Sequence, residues 1–305
     1  MAVRFQGTYT ALVTPFRDDS SIDWDAFDAL VEAQIAGGVA GLVPMGTTGE
    51  SPTLTHEEHL AVVARTVKKA NGRVQVIAGC GSNSTHEAIH LTREAHRLGV
   101  TAAMLVVPYY NKPTQDGLVK HFATVAREVP CPVMAYNIPG RTGIDMAPET
   151  LGRILDEAPN VVAVKEATGN ILRAQDLVRR FGSRLTVLSG DDALTLGMIA
   201  VGARGVISVT SNLLPAAVSR ATELALNGDR DAALRAHLAL LPVHESMFLE
   251  SNPAPVKAAL AAKGVMRDVV RGPLVPASAK TRDAIAAALS KLDGGDQETT
   301  QGARR

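Results

Sequence analysis

Eight short apolar runs, separated by longer amphipathic stretches, limit the possible folds of this chain more than any other feature. The runs are Thr8–Thr14, Gly41–Met45, Val74–Ala78, Ala102–Val107, Pro132–Tyr136, Val161–Lys165, Leu185–Leu188 and Val206–Val209. Between them, stretches of helical period fall near 23–36, 55–70, 84–98, 115–128, 147–157, 170–181 and 191–201. Strands alternating with single helices imply parallel neighbours joined by crossovers. Eight such units close on themselves, whereas an open doubly wound sheet usually has fewer, so the expected fold class is α/β, a (β/α)8 TIM barrel. Thr55 and Ser84 each stand three residues before a glutamate, the arrangement of a capping box, and Pro148 suits a first helical turn.

From about Leu213 to Leu292 the chain is rich in Ala and Leu and reads as helices, with breaks at Gly228, Asn252-Pro253 and Gly272-Pro273. The expected organisation is a barrel over 1–225, a C-terminal helical extension over 226–292, and a polar, Gly-rich tail over 293–305 with too few apolar residues to fold. Aromatic residues make up only 4% of a chain that is 46% hydrophobic, so the core must be Val, Leu, Ile and Ala, which suits strands buried on both faces. Lys+Arg and Asp+Glu balance at 31 each, which removes the electrostatic case for nucleic acid or an anionic membrane. Cys80 and Cys131 form neither a metal-ligand spacing nor a disulfide framework and read as reduced packing residues. No apolar run approaches the roughly 20 residues of a membrane span, and the N-terminus lacks a signal-peptide core, so the expected location is the cytoplasm.

In a closed α/β barrel the chemistry sits at the C-terminal ends of the strands. Polar residues collect there: Gly46-Thr-Thr-Gly-Glu50, Pro108-Tyr-Tyr-Asn111, Tyr136-Asn137, Lys165-Glu166, Ser189-Gly-Asp-Asp192 and Ser208-Val-Thr-Ser-Asn212. Lys165 follows Val161-Val-Ala-Val164 in a strand that should be buried, where burial lowers an amine's pKa and makes it a nucleophile. Equally, it could be paired with a carboxylate such as Glu166, or stand at the barrel mouth. Tyr136 ends the preceding strand, where its hydroxyl could exchange protons with the amine or simply face solvent. Gly46-Thr-Thr-Gly49 offers hydroxyls and amides to a carboxylate, although such loops are also ordinary turns. Arg141, in a Gly-flanked loop beside Tyr136, is either a solvated arginine or a bidentate grip on a second carboxylate. The histidines form no three-ligand set, so no metal is expected.

Six strings carry more weight together than singly: GTTGES at 46–51, PYYNKP at 108–113, YNIPGRTG at 136–143, VKEATG at 164–169, SGDD at 189–192 and GVISVTSN at 205–212. In this order they resemble the dihydrodipicolinate synthase and N-acetylneuraminate lyase family, from about Thr8 to Asn212 and less distinctly beyond. The resemblance implies a lyase in which Lys165 forms a Schiff base with pyruvate and Tyr136 shuttles protons. It assigns the hydroxyl relay and pyruvate cradle to Thr47 and Thr48, and the lining of the pyruvate pocket to backbone atoms of Gly190 and Ile207. No cofactor is implied beyond the lysine imine. Tyr110 corresponds to a residue that enters a neighbouring subunit's site, which implies a homo-oligomer, a tetramer built as a dimer of dimers.

Arg141 points to the synthase branch, in which pyruvate condenses with L-aspartate 4-semialdehyde on the route to diaminopimelate and lysine. Sugar-acid and sialic-acid lyases of the family usually lack arginine there; that branch, a catalytically silent barrel and a metal-dependent aldolase are the alternatives. The resemblance also implies an allosteric lysine cleft at Ser51, His56, His59, Asn83, Glu87 and Tyr109. Pro52 departs from that pattern and removes a backbone donor.

Overall fold

The structure, a computed structural model, describes residues 3–302, and side chains over residues 3–292. Eight parallel strands close in sequence order into a barrel: β1 (Gly7–Ala11), β2 (Gly41–Val43), β3 (Gln75–Gly79), β4 (Ala102–Val106), β5 (Val133–Asn137), β6 (Val161–Glu166), β7 (Thr186–Ser189) and β8 (Gly205–Ser208). Around them run α1 (Trp24–Ala36), α2 (His56–Ala70), α3 (Thr85–Arg97), α4 (Gln115–Arg127), the single turn α5 (Pro139–Thr142), α6 (Pro148–Glu157), α7 (Ile171–Phe181), α8 (Thr195–Ala200) and α9 (Pro215–Leu226). Then follow α10 (Arg230–Ser246), α11 (Ala254–Ala262) and α12 (Ala279–Gly302). The expectation of a disordered tail over 293–305 falls outside the residues whose side chains are described. Among the described residues no helix is long and apolar enough to cross a membrane.

The core has two layers, as a barrel requires. Tyr9, Val43, Ile77, Met104, Met134, Ala163, Leu188 and Ile207 fill the barrel interior, and a larger set, including Leu42, Val62, Leu105, Phe122, Ile154 and Val187, lies between strands and helices. Successive residues of a strand point to opposite faces, which sorts each strand between the two layers. Cys80 and Cys131 are free thiols buried in the outer layer.

Two local expectations need correction. The run ending at Thr14 leaves the sheet at Ala11, because beyond it a side chain takes the place of the ladder: Val13 N donates to Asn212 Oδ1 at 3.1 Å. The capping box at Thr55 is complete, with Thr55 and Glu58 bonded reciprocally. The one at Ser84 is half made: Ser84 Oγ accepts from Glu87 N, but the Glu87 carboxylate is taken by Ser82 and His56.

Two strand pairings are reinforced from the side. β7 and β8 share the single aligned pair Ser189–Val206. The Asp192 carboxylate bridges them, accepting from Ser208 Oγ, from Val209 N at 2.8 Å and from Thr210 N at 3.2 Å. Asn212 Nδ2 donates to Ala11 O at 2.7 Å and so joins β1 to the segment after β8.

His59 and His121 are buried, and desolvation pushes the pKa of each imidazole from 6.5 down to about 4. As pH falls from 6.5 toward 4 the unfolded chain therefore binds protons that the folded one refuses, and stability present above pH 6.5 is lost. Each group accounts for a loss on the order of 3 kcal/mol at most across that window. The drop in melting temperature between pH 7 and pH 5 is expected to be smaller in His121→Phe than in the wild type. Equal drops would refute the assignment.

Candidate active site

β6 carries Lys165 to the C-terminal mouth of the barrel, with the residue 7% exposed. Adjacent β5 aligns Tyr136 with it, and the Lys165 Nζ lies 4.1 Å from the centre of the tyrosine ring. The strand alternation turns Glu166 to the opposite face, where its Oε1 accepts from Thr168 N at 2.8 Å. Glu166 therefore does not pair with Lys165, and among the described residues the amine has no carboxylate within ion-pair distance. Burial raises the Glu166 pKa and favours its neutral form.

Gly190, at the end of β7, makes room for this lysine. A Cβ there would stand 2.6 Å from Ala167 Cβ and 3.1 Å from Lys165 Cε, so any larger residue would press on the lysine stem. Ile207 lies under the site in the barrel interior, 1% exposed.

After β2 the chain enters a 3₁₀ turn over Thr47–Gly49, with Gly46 before it and Glu50 after it in the left-handed region at φ 57°. The first amides of such a turn have no acceptor within it. Thr47 and Thr48 then separate: Thr47 lines the cavity, while Thr48 is buried behind it, its Oγ1 accepting from Asn252 Nδ2 at 2.9 Å.

The cavity measures about 360 Å³ and runs from Thr47, Met104 and Tyr136 outward to Arg141 and sideways to Ser51, His56, His59, Glu87 and Tyr109. All but one of the residues assigned to a lysine cleft thus border the same space. Asn83 is not among the lining residues; its carbonyl accepts from Asn111 Nδ2 at 2.8 Å. His56 Nε2 and Glu87 Oε1 are 2.6 Å apart, and the Glu87 pKa is lowered chiefly by the Ser82 hydroxyl, then by His56. His59 is committed to Gly79 O at 2.9 Å. Tyr110 stands apart from the cavity, 88% exposed and with φ at 70°. Among the described residues no group of His, Cys, Asp and Glu is arranged to hold a metal.

Arg141 sits on α5, an exposed turn at the mouth. Its position is set from below: Asn137 Nδ2 donates to Asp145 Oδ1 at 2.8 Å, and Arg173 grips the same carboxylate at 2.6 and 3.1 Å and Met146 O at 3.0 Å. Sequence reasoning missed Asn137, Asp145 and Arg173 as a set, and also Asn252, Lys257 and Asp192 in their structural roles. The only local sign was a polar residue isolated in an apolar context, as in APVKAALAA.

Fold and site together define an α/β barrel of enzyme type, with a cavity walled in part by Tyr136 and a buried lysine amine against the ring of that tyrosine, Lys165 itself not being among the lining residues. The chain belongs to the dihydrodipicolinate synthetase family, whose model matches residues 4–292. It is 60% identical over 288 residues to the 4-hydroxy-tetrahydrodipicolinate synthase of Sorangium cellulosum, covering 94% of this chain and 96% of the relative. The solved 4-hydroxy-tetrahydrodipicolinate synthase of Methylacidiphilum fumariolicum superposes with a TM-score of 0.95 at 43% identity, covering 98% of this chain and 99% of that one. The chloride-inhibited dihydrodipicolinate synthase of Acinetobacter baumannii, solved complexed with pyruvate, matches with a TM-score of 0.92 at 42% identity, over 94% of this chain and 99% of that one.

Asp145→Ala removes the anchor shared by Asn137 and Arg173. Amide hydrogen exchange across 138–147 is expected to quicken at least about tenfold, the equivalent of about 1.4 kcal/mol of local stability. Exchange in β5 itself should stay unchanged. Unchanged exchange in 138–147 would mean the segment is held by something else.

Proposed function

We propose that this chain is a 4-hydroxy-tetrahydrodipicolinate synthase, a lyase of amino-acid biosynthesis that condenses pyruvate with L-aspartate 4-semialdehyde. The observation that carries the reading is the Lys165 amine, buried at the end of β6 beside Tyr136 and, among the described residues, without a carboxylate partner. An amine held this way attacks the pyruvate ketone and, after loss of water, forms an imine. The imine draws electrons from the pyruvate methyl group; loss of a methyl proton gives an enamine, which attacks the semialdehyde aldehyde. Transimination and cyclisation then release the product and restore the lysine. The protons moved in these steps pass through the Tyr136 hydroxyl, with Thr47 on the cavity wall as its relay. The amides of the Thr47–Gly49 turn and the Thr48 hydroxyl receive the pyruvate carboxylate. Arg141 at the mouth takes the carboxylate of the semialdehyde. The lysine imine stands in for a cofactor, and the working location is the cytoplasm.

The assembly that suits this reading is a tetramer of paired subunits. Tyr110 is held in the left-handed region and 88% exposed, a poor conformation for a free tyrosine and a good one for a side chain inserted into a second copy. We assign lysine, the end product of the route, to the side arm of the cavity, which is lined by Ser51, His56, Glu87 and Tyr109 and where His56 Nε2 and Glu87 Oε1 lie 2.6 Å apart.

Borohydride reduction in the presence of pyruvate should leave an adduct on Lys165, and Lys165→Ala should lose both adduct and turnover. Tyr136→Phe is expected to lower kcat by about 10²–10⁴-fold. Arg141→Ala should raise KM for the semialdehyde by roughly 10–100-fold while sparing trapping by pyruvate alone. Full turnover by Lys165→Ala would sink the reading. Lysine should bind measurably by calorimetry, and less tightly to Glu87→Gln; no heat at millimolar lysine would reject the regulatory cleft.

A further inference from the structure

The helical extension reaches the loop that follows β2. Asn252, between α10 and α11, is 5% exposed, and its side-chain nitrogen donates to Thr48 Oγ1 at 2.9 Å across 204 positions of sequence. An amide nitrogen carries protons and no acceptor lone pair. The Thr48 oxygen therefore accepts in this bond, and its own O–H remains free to donate elsewhere. The same turn is held at its far end. Lys257, on α11, forms an ion pair with the Glu50 carboxylate at 0% side-chain exposure for both, and Arg271 N donates to Glu50 Oε2 at 2.9 Å. Glu50 occupies the left-handed region, a conformation that a non-glycine residue keeps only when its surroundings hold it there.

We infer that Asn252 is a positioning residue for pyruvate: by donating to Thr48 it orients that hydroxyl's proton toward the substrate carboxylate, so that the C-terminal extension completes the pyruvate cradle. The inference rests on the reading of Thr48 as part of that cradle. Asp at 252 keeps the shape but can only accept when ionised, which turns the Thr48 proton away from the substrate and adds a negative charge behind the cradle. Ala removes the donor without adding charge. Nothing in the Asn252 contacts touches Arg141, so the second substrate should be indifferent to either change.

The test is borohydride trapping of pyruvate followed by intact mass, together with steady-state kinetics, on the full-length protein. Wild type must first give the adduct on Lys165; without it the imine reading fails and the role of Asn252 is moot along with it. Given the adduct, Asn252→Asp is expected to raise the pyruvate concentration for half-maximal trapping by about tenfold or more, with KM for the semialdehyde within twofold. Asn252→Ala should shift it in the same direction, and carries the same readout if the buried aspartate compromises folding. In a Thr48→Val background, Asn252→Ala should add less than twofold, because the hydroxyl it acts through is gone. Half-saturation within twofold of wild type in both single variants would overturn the inference. So would an equal effect with and without the Thr48 hydroxyl, which would mark Asn252 as structural.

Discussion

Closure of the strand ring is the constraint on which the rest of this molecule depends, because the mouth of the barrel exists only if β8 meets β1. The seam is tight. Gly205 has φ at 146°, and a Cβ there would lie 2.0 Å from Gly7 O, so no side chain fits at that position. Near the C-terminal ends, where the strands diverge and the ladder thins, side chains take over. Asn212 bonds Ala11 O and Val13 N, Gln34 Oε1 accepts from Thr10 Oγ1 at 2.7 Å, and Asp192 joins β7 to β8. These groups are buried and satisfied, so losing one would strand its partners as well. The site sits on the rim that these bonds close.

The periodicity of the sequence was enough to predict the barrel, since eight apolar runs with single helices between them admit few other arrangements. Strand ends were less legible. The end of β1 is decided by Asn212, some two hundred residues away, and a local pattern carries no trace of that. The capping box at Ser84 fails for a similar reason: Glu87 has better partners in Ser82 and His56, and both come from outside the helix. Lys165 was visible as a charged residue in an apolar strand, but whether it was paired with Glu166 depended on which face each residue took.

Motif and chemistry also separate in ways that only geometry reveals. SGDD and GVISVTSN read as site residues, yet Asp192, Ser208 and Asn212 spend their polar side-chain atoms on holding strands together, and the Thr210 hydroxyl is bonded to His244 on α10. Of the two threonines in GTTGES, one borders the cavity, and the other accepts from Asn252 of the C-terminal extension while its own O–H stays uncommitted in that bond. Polar strand ends are thus of two kinds. Those whose hydrogen bonds are complete within the protein build the rim; those left open to the cavity are available to a substrate.

Two buried lysines make the distinction plain. Lys257 lies at 0% exposure with the Glu50 carboxylate as ion partner, Val269 O at 2.8 Å and the Phe16 ring 4.1 Å beneath the ammonium. Even so, desolvation lowers its pKa from 10.5 to about 8, and the Glu50 charge offsets only part of that cost. A carboxylate, a carbonyl and a ring surround its ammonium, so it serves as a structural cation. Lys165 is nearly as buried, but among the described residues it has neither carboxylate nor carbonyl partner, and the tyrosine ring lies 4.1 Å away. The fold supplies the buried lysine at 257 with a carboxylate and a carbonyl, and among the described residues leaves the one at 165 without either, against a tyrosine that walls the cavity. An uncommitted amine in that position is what the proposed imine chemistry requires.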